Sequence, residues 1–246
     1  MSEDNKRVVL IAAPPSMGKT HSLHRMADDP GVAYLNTDMK DLPFRVPKKG
    51  MKVLKIDDAK NALDAIDDLA ENYPDVHTVI LDTITHLMNQ YENQYVAGDT
   101  RAFGAAWQEY ASFYNTIMHK VKSGDKNYLI LAHTFTTYNE QELANETSVP
   151  IKGAVGKVGV ESDYNIIIGA RKLTLKALEP FMENNTLLTI NPKEERLGFK
   201  FVFQTDLTKE TLSEKIRSPM GLWSEDELYI NNDISLITER LREYYA

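Results

Sequence analysis

Residues 13–20, Ala-Pro-Pro-Ser-Met-Gly-Lys-Thr, have the types and spacing of a phosphate-binding loop with one departure. The usual pattern is a glycine, four residues, then Gly-Lys-Thr or Gly-Lys-Ser. Ala13 stands at the first glycine, while Gly18, Lys19 and Thr20 keep their places. An apolar run, Val8–Ala12, precedes the loop as a strand should, and His21–Met26 can begin a helix. Backbone N–H groups around such a turn and helix start suit phosphate oxygens. The candidate nucleotide-binding residues are therefore Ala13, Pro14, Pro15, Ser16, Met17, Gly18, Lys19, Thr20 and His21. Lys19 would reach the β- and γ-phosphates of ATP, and the Thr20 hydroxyl would ligate Mg²⁺. The plain alternative is a proline-rich strand-to-helix turn with a chance Gly-Lys-Thr.

Phosphate chemistry needs a second metal anchor and a group that handles the attacking water. Val79-Ile80-Leu81-Asp82 is an apolar strand ending in a carboxylate, so Asp82 is the candidate Mg²⁺ residue. Thr83 follows it, so no glutamate stands there to activate water. Tyr34-Leu35-Asn36-Thr37-Asp38 also ends in a carboxylate. Asp38 is the candidate for orienting or deprotonating water, against the alternative of a solvated loop aspartate. Leu129–Thr134 places His133 after a further apolar run, where a polar side chain can sense the γ-phosphate.

These residues require a sheet whose strand ends converge. Five apolar runs read as buried strands: Val8–Ala12, Val32–Asn36, Thr78–Asp82, Tyr128–Ala132 and Asn165–Ala170. Continuous rather than alternating apolarity predicts a parallel sheet covered on both faces. Asp57–Tyr73 reads as a helix burying Ala59, Leu63, Ile66 and Ala70, with Asp57 or Asp58 as its cap. Residues 101–122 read as a second helix burying Phe103, Trp107, Tyr110, Tyr114, Ile117 and Val121. The alternation predicts a doubly wound α/β fold. After residue 170 the pattern predicts antiparallel strands at Leu187–Asn191 and Phe199–Thr205 joined by a polar turn. Re-entry at Glu214–Trp223 and a terminal helix at Ser235–Tyr245, with apolar Leu236, Ile237, Leu241 and Tyr244, complete it. Residues 134–160 read as the largest irregular stretch, and long irregular stretches in compact domains are usually functional or mobile.

Composition narrows the function class. The 246 residues suit one α/β domain, with a core at 7–172 and a β-rich extension and terminal helix at 173–246. The chain has no cysteine, which excludes disulfides, thiolate metal sites and cysteine nucleophiles and suits a cytoplasmic protein. A signal peptide or membrane span needs a longer apolar run than the sequence offers, so no membrane role is expected. With 28 basic and 36 acidic residues the net charge is −8, so any nucleic-acid contact must be local and salt-sensitive.

Together these motifs resemble the RecA-like recombinase ATPases, and are similar to the small bacteriophage group tied to single-strand annealing and recombination, the Sak-four type. The resemblance spans residues 8–223. It implies a RecA-like P-loop NTPase core, mainly parallel sheet flanked by helices, with a C-terminal antiparallel extension and terminal helix. It further implies DNA-stimulated ATP hydrolysis on single-stranded DNA in recombination, annealing or repair, and a host-cytoplasm location if phage-encoded. In that family the carboxylate at Asp38 is catalytic (bacterial recombinase has Glu there), and the sensor at His133 is often Gln. The loop after the sensor contacts DNA. Its counterpart is Phe135–Val160, where Lys152, Gly153 and Lys157 are the DNA candidates, set against Glu140, Glu142 and Glu146 in its first half.

Lys215-Ile216-Arg217-Ser218-Pro219-Met220 resembles the family's Lys-x-Lys-Ile-x-x-Pro-aromatic element, with Ser213 at the first lysine. By that resemblance Lys215 and Arg217 would reach ATP on a neighbouring subunit. This implies a homo-oligomer, ring or filament. The core lacks the family's extra domains, which implies reliance on an annealing or single-strand-binding protein. Two other functions fit a phosphate loop: a nucleotide kinase, which would need clustered arginines, and an ATP switch or scaffold with little turnover.

Overall fold

The computed structural model describes residues 8–101, 104–140 and 143–246. The apolar runs form strands because their side chains are buried on both sheet faces. These strands are β1 (Val8–Ala13), β2 (Val32–Asn36), β4 (Thr78–Asp82) and β5 (Asn127–His133), while β3 (Lys52–Lys55), between β2 and β4 in the chain, is a half-exposed edge strand. A hairpin, β6 (Phe135–Asn139) and β7 (Ala144–Ser148), follows, then β8 (Ile166–Thr174), β9 (Phe199–Gln204) and β10 (Tyr229–Asn231). One eight-stranded sheet has the order β10-β9-β8-β1-β5-β4-β2-β3. Its strands from β8 to β3 run parallel, and β9 and β10 add antiparallel. The C-terminal extension thus continues the same sheet.

Alternate residues of β1 point to opposite cores. Leu10 packs with α1 (Asn61–Asn72), α2 (Ile84–Tyr91) and α3 (Ala105–Ser123). Val9 and Ile11 face a 3₁₀ segment at Thr20–Met26 and the terminal helix. Short helices α4 (Gly153–Val158), α5 (Leu175–Leu178) and α6 (Pro192–Leu197) and the terminal α7 (Ile234–Tyr244) complete the chain. No helix among the described residues is long and apolar enough to cross a membrane.

Several expected elements differ. The helix expected from Asp57 starts at Asn61, and Asp58 instead accepts from the Lys60 N–H as a turn. Its buried face is Ala62, Ile66 and Leu69, with Ala70 exposed, because the later start rotates the face that meets the sheet. On α3 the stripe is Tyr110, Phe113, Tyr114, Ile117 and Val121. Trp107 is partly exposed, with its ring edge-on to Tyr110, and Phe103 and Glu142 lie outside the described residues. Leu187–Asn191 is not a strand, since β10 takes the place beside β9. The expected polar turn is α6, where Asn191 and Glu194 form a reciprocal capping box with Pro192 in the first turn. The described residues of 134–160 are mostly regular. They form the β6–β7 hairpin and α4, tied to the fold by Thr147 N–H donating to the Ser213 carbonyl at 2.9 Å.

Candidate functional site

The parallel strands end on one edge, and a crevice at such an edge is where α/β sheets bind ligands. β5 lies between β1 and β4, so the residues after these three strands face one another. The 13–20 loop leaves β1, Asp82 ends β4, His133 ends β5 and Asp38 follows β2. Ala13 explains the missing glycine. It lies within β1, buried and paired with His133, whereas the left-handed backbone positions fall on Ser16 (φ 65°) and Gly18 (φ 83°). The loop therefore needs its glycine freedom at 18 and not at 13.

Lys19 is buried. Its ammonium donates to the Ala13 carbonyl at 2.7 Å and the Pro14 carbonyl at 2.9 Å, and lies 3.2 Å from His133 Nδ1. Burial pulls its pKa down to about 8, opposed by the Asp82 carboxylate. An ammonium has only donors, so His133 Nδ1 is the acceptor. Burial, then the Lys19 charge, pushes the His133 pKa down to about 4, which keeps the ring neutral at pH 7. The His133 N–H donates to Thr85 Oγ1 at 2.9 Å, which fixes the strand end.

Asp82 Oδ2 accepts from the Thr20 hydroxyl at 2.6 Å and the Tyr34 hydroxyl at 2.8 Å. Burial raises the Asp82 pKa, and these two bonds work against it. Thr37 Oγ1 donates to the Asp82 and Thr83 carbonyls and accepts from the Thr83 N–H at 2.9 Å, across a cis Asp82–Thr83 peptide. Sequence reading missed Tyr34 and Thr37 because their roles depend on β2 lying beside β4. The only sequence signal is a hydroxyl inside an apolar run at Tyr34; Thr37, between Asn36 and Asp38, has none. A carboxylate and a hydroxyl are hard oxygen donors, and with a nucleotide's phosphates and water they suit Mg²⁺. No cluster of three or more metal-ligating His, Asp or Glu stands among the described residues, so a phosphate-shared cation fits better than an all-protein cage.

The remaining candidates divide. The Asp38 charge helps raise the Asp82 pKa, but the carboxylate ion-pairs with Lys40 at 3.1 Å and accepts the Lys40 N–H at 3.0 Å. Exposed His21 stacks on His24 with ring centroids 5.2 Å apart. Lys152 pairs with Glu92 at 2.8 Å, Lys157 is exposed on α4, and Gly153 (φ 69°) lies against the Trp107 ring. Lys215 pairs with Glu146 of β7 at 3.4 Å.

Arg217, the expected finger for a neighbouring subunit, is engaged within its own chain here. Its Nε and Nη2 donate to the Tyr164 carbonyl at 3.1 and 2.8 Å, and Nη2 also donates to the Glu161 carbonyl. Its backbone bridges Ile167 of β8. The guanidinium thus ties the 213–217 segment to its own sheet. Arg217→Ala is expected to lower stability by about 1–2 kcal/mol in urea unfolding, as loss of charge-assisted hydrogen bonds on a partly exposed group should.

Residues 5–172, more than half of the chain, match the family model described as AAA domain. The chain belongs to that family. It is therefore a P-loop ATPase-type protein with an α/β fold, and nucleotide binding is the family's common property. The match ends before β9, β10 and α7. No curated protein matches the chain.

Proposed function

We propose that this AAA-family protein binds ATP with Mg²⁺ and hydrolyses it while acting on single-stranded DNA, in recombination, annealing or repair of the phage type. Thr20 and Asp82 hold Mg²⁺, which supplies charge neutralisation at the phosphates when bound. Lys19 binds the β- and γ-phosphates, and Asp38 orients water once released from Lys40. The observation that carries the DNA reading is the β6–β7 hairpin. It leaves β5 one residue after His133, whose ring touches Lys19, so phosphate occupancy and hairpin position share a strand end.

Phe135 and Tyr138 are 63% and 60% exposed on that hairpin, and Lys157 is exposed nearby in sequence on α4. Aromatic faces with a neighbouring cation suit unpaired bases. Lys152 would join them by leaving Glu92, while Lys215, by leaving Glu146, is the cation left for a neighbouring subunit in a ring or filament. An annealing or single-strand-binding protein would be the partner of such an assembly.

The test is ATP turnover against protein concentration, with and without single-stranded DNA. Turnover is expected to rise with both, the DNA effect to weaken as salt increases, and Phe135→Ala to reduce the DNA stimulation. No turnover and no DNA binding at any concentration would sink the reading. A second reading, a switch with little turnover, is favoured by the Asp38–Lys40 pairing and by Arg217 being held within its own subunit. Tight ATP binding without turnover in the assembled state would establish it. Phosphate transfer to a nucleoside monophosphate would instead point to a kinase.

A further inference from the structure

The phosphate loop leans on residues outside the matched family region. Gly18 packs so closely on them that a Cβ there would lie 3.1 Å from Asn232 Oδ1 and 3.3 Å from the Phe201 ring. Asn232 joins β10 to α7, and its Oδ1 and Nδ2 are both buried with no hydrogen-bond partner among the described residues. Buried carboxamides with both ends open are rare in folded proteins and call for an explanation. The next residue, Asp233, caps α7 by accepting the Ser235 N–H at 3.1 Å and the Ser235 hydroxyl at 2.7 Å. Its Oδ2 lies 3.0 Å from Arg25 Nε, a charge contact outside hydrogen-bond geometry, on the 3₁₀ segment that follows the loop. The β10–α7 junction therefore touches the loop at Gly18 and the segment beyond it at Arg25.

The loop must rearrange to hold a nucleotide. Lys19 is spent on the Ala13 and Pro14 carbonyls and has to leave them to reach phosphate. A carboxamide offers a donor and an acceptor that match one peptide group. We propose that Asn232 is a positioning residue for the loaded phosphate loop, closing its two open hydrogen bonds on the peptide groups around Gly18 when the loop wraps phosphate. The C-terminal extension then clamps the nucleotide-bound loop, and α7 stiffens with occupancy. This rests on the nucleotide reading above.

The experiment titrates a fluorescent ATP analogue with Mg²⁺ into the full chain, and measures melting temperature with and without ATP. Asn232→Leu is expected to weaken affinity at least fivefold and to shrink the ATP-induced rise in melting temperature. It should leave the nucleotide-free melting temperature unchanged or raised, because it removes a buried polar group that has no partner there. Asn232→Ala should give the same split if Leu crowds the site. Affinity within twofold of the unaltered protein overturns the proposal. So does a lowered nucleotide-free melting temperature in both variants, since the amide would then be serving the empty loop. If the unaltered protein, like Lys19→Ala, binds no ATP, the nucleotide reading itself fails.

Discussion

Lys19→Ala is expected to remove nucleotide binding and turnover while leaving the fold intact. The ammonium is the one charged donor of the loop itself, and loss of such a preorganised group costs on the order of 10²–10³ in rate. The fold should survive because the substitution also removes a buried charge, whose desolvation offsets the bonds lost to the Ala13 and Pro14 carbonyls. Lys19 also sets a pH dependence. Its pKa is about 8 in the folded chain against an ordinary 10.5, so the unfolded chain binds more protons between those values. The nucleotide-free fold therefore gains stability as pH rises through that window. Phosphate binding favours the charged form, so ATP affinity should fall as pH rises above about 8, with proton uptake on binding. Calorimetry in two buffers of different ionisation enthalpy measures that uptake. A Lys19→Ala protein that still binds ATP like the unaltered chain would refute the assignment of the loop.

The site residues that sequence made legible share a local cause. Gly18-Lys19-Thr20 and the strand before it are contiguous, and Asp82 ends an apolar strand, so neither needs knowledge of the fold. The five central strands were legible because strands covered on both faces are apolar throughout. The edge strand β3, Lys52-Val53-Leu54-Lys55, was not, since half its residues face solvent and its pairing comes from β2. The β6–β7 hairpin was invisible for a related reason. Phe-Thr-Thr-Tyr-Asn pairs with Ala-Asn-Glu-Thr-Ser, and Thr147 and Ser213, distant in sequence, dock it.

Leu187–Asn191 cannot pair with β9, because β9 already lies between β8 and β10; the Leu187 carbonyl instead meets β10, accepting the Asn231 N–H at 2.8 Å. The α6 helix was the misreading that local chemistry could have prevented. Asn191-Pro192-x-Glu194 is a helix start, and it outweighs the polarity that suggested a turn. Tyr34 and Thr37 lie beyond sequence reading, because each bonds across the sheet to a partner far along the chain, and only the fold brings Asn232 against Gly18. Arg217 is a different case. The motif placed a cation correctly on a basic turn, but only the fold shows it facing its own carbonyls.

Asp82→Asn is expected to separate metal chemistry from structure at the other anchor. Asn keeps the size of the side chain and an oxygen that can still accept from the Thr20 and Tyr34 hydroxyls, now 2.6 and 2.8 Å away. It removes a buried negative charge whose pKa burial has raised above its ordinary 3.8. A group whose folded pKa is raised binds more protons in the folded chain, so its stability contribution falls as pH rises from 3.8 through the raised value. Asp82→Asn should abolish that slope and leave the protein at least as stable at pH 7 in urea unfolding. Turnover should nevertheless fall by about 10²-fold or more, and ATP affinity should lose its dependence on Mg²⁺, because the remaining amide is a poor ligand for a hard cation. A merely structural Asp82 would show the reverse: lower stability, with Mg²⁺ still strengthening ATP binding. The two outcomes differ in sign for stability and in kind for the metal, so one pair of titrations decides whether the Thr20–Asp82 contact is the cation site of this ATPase.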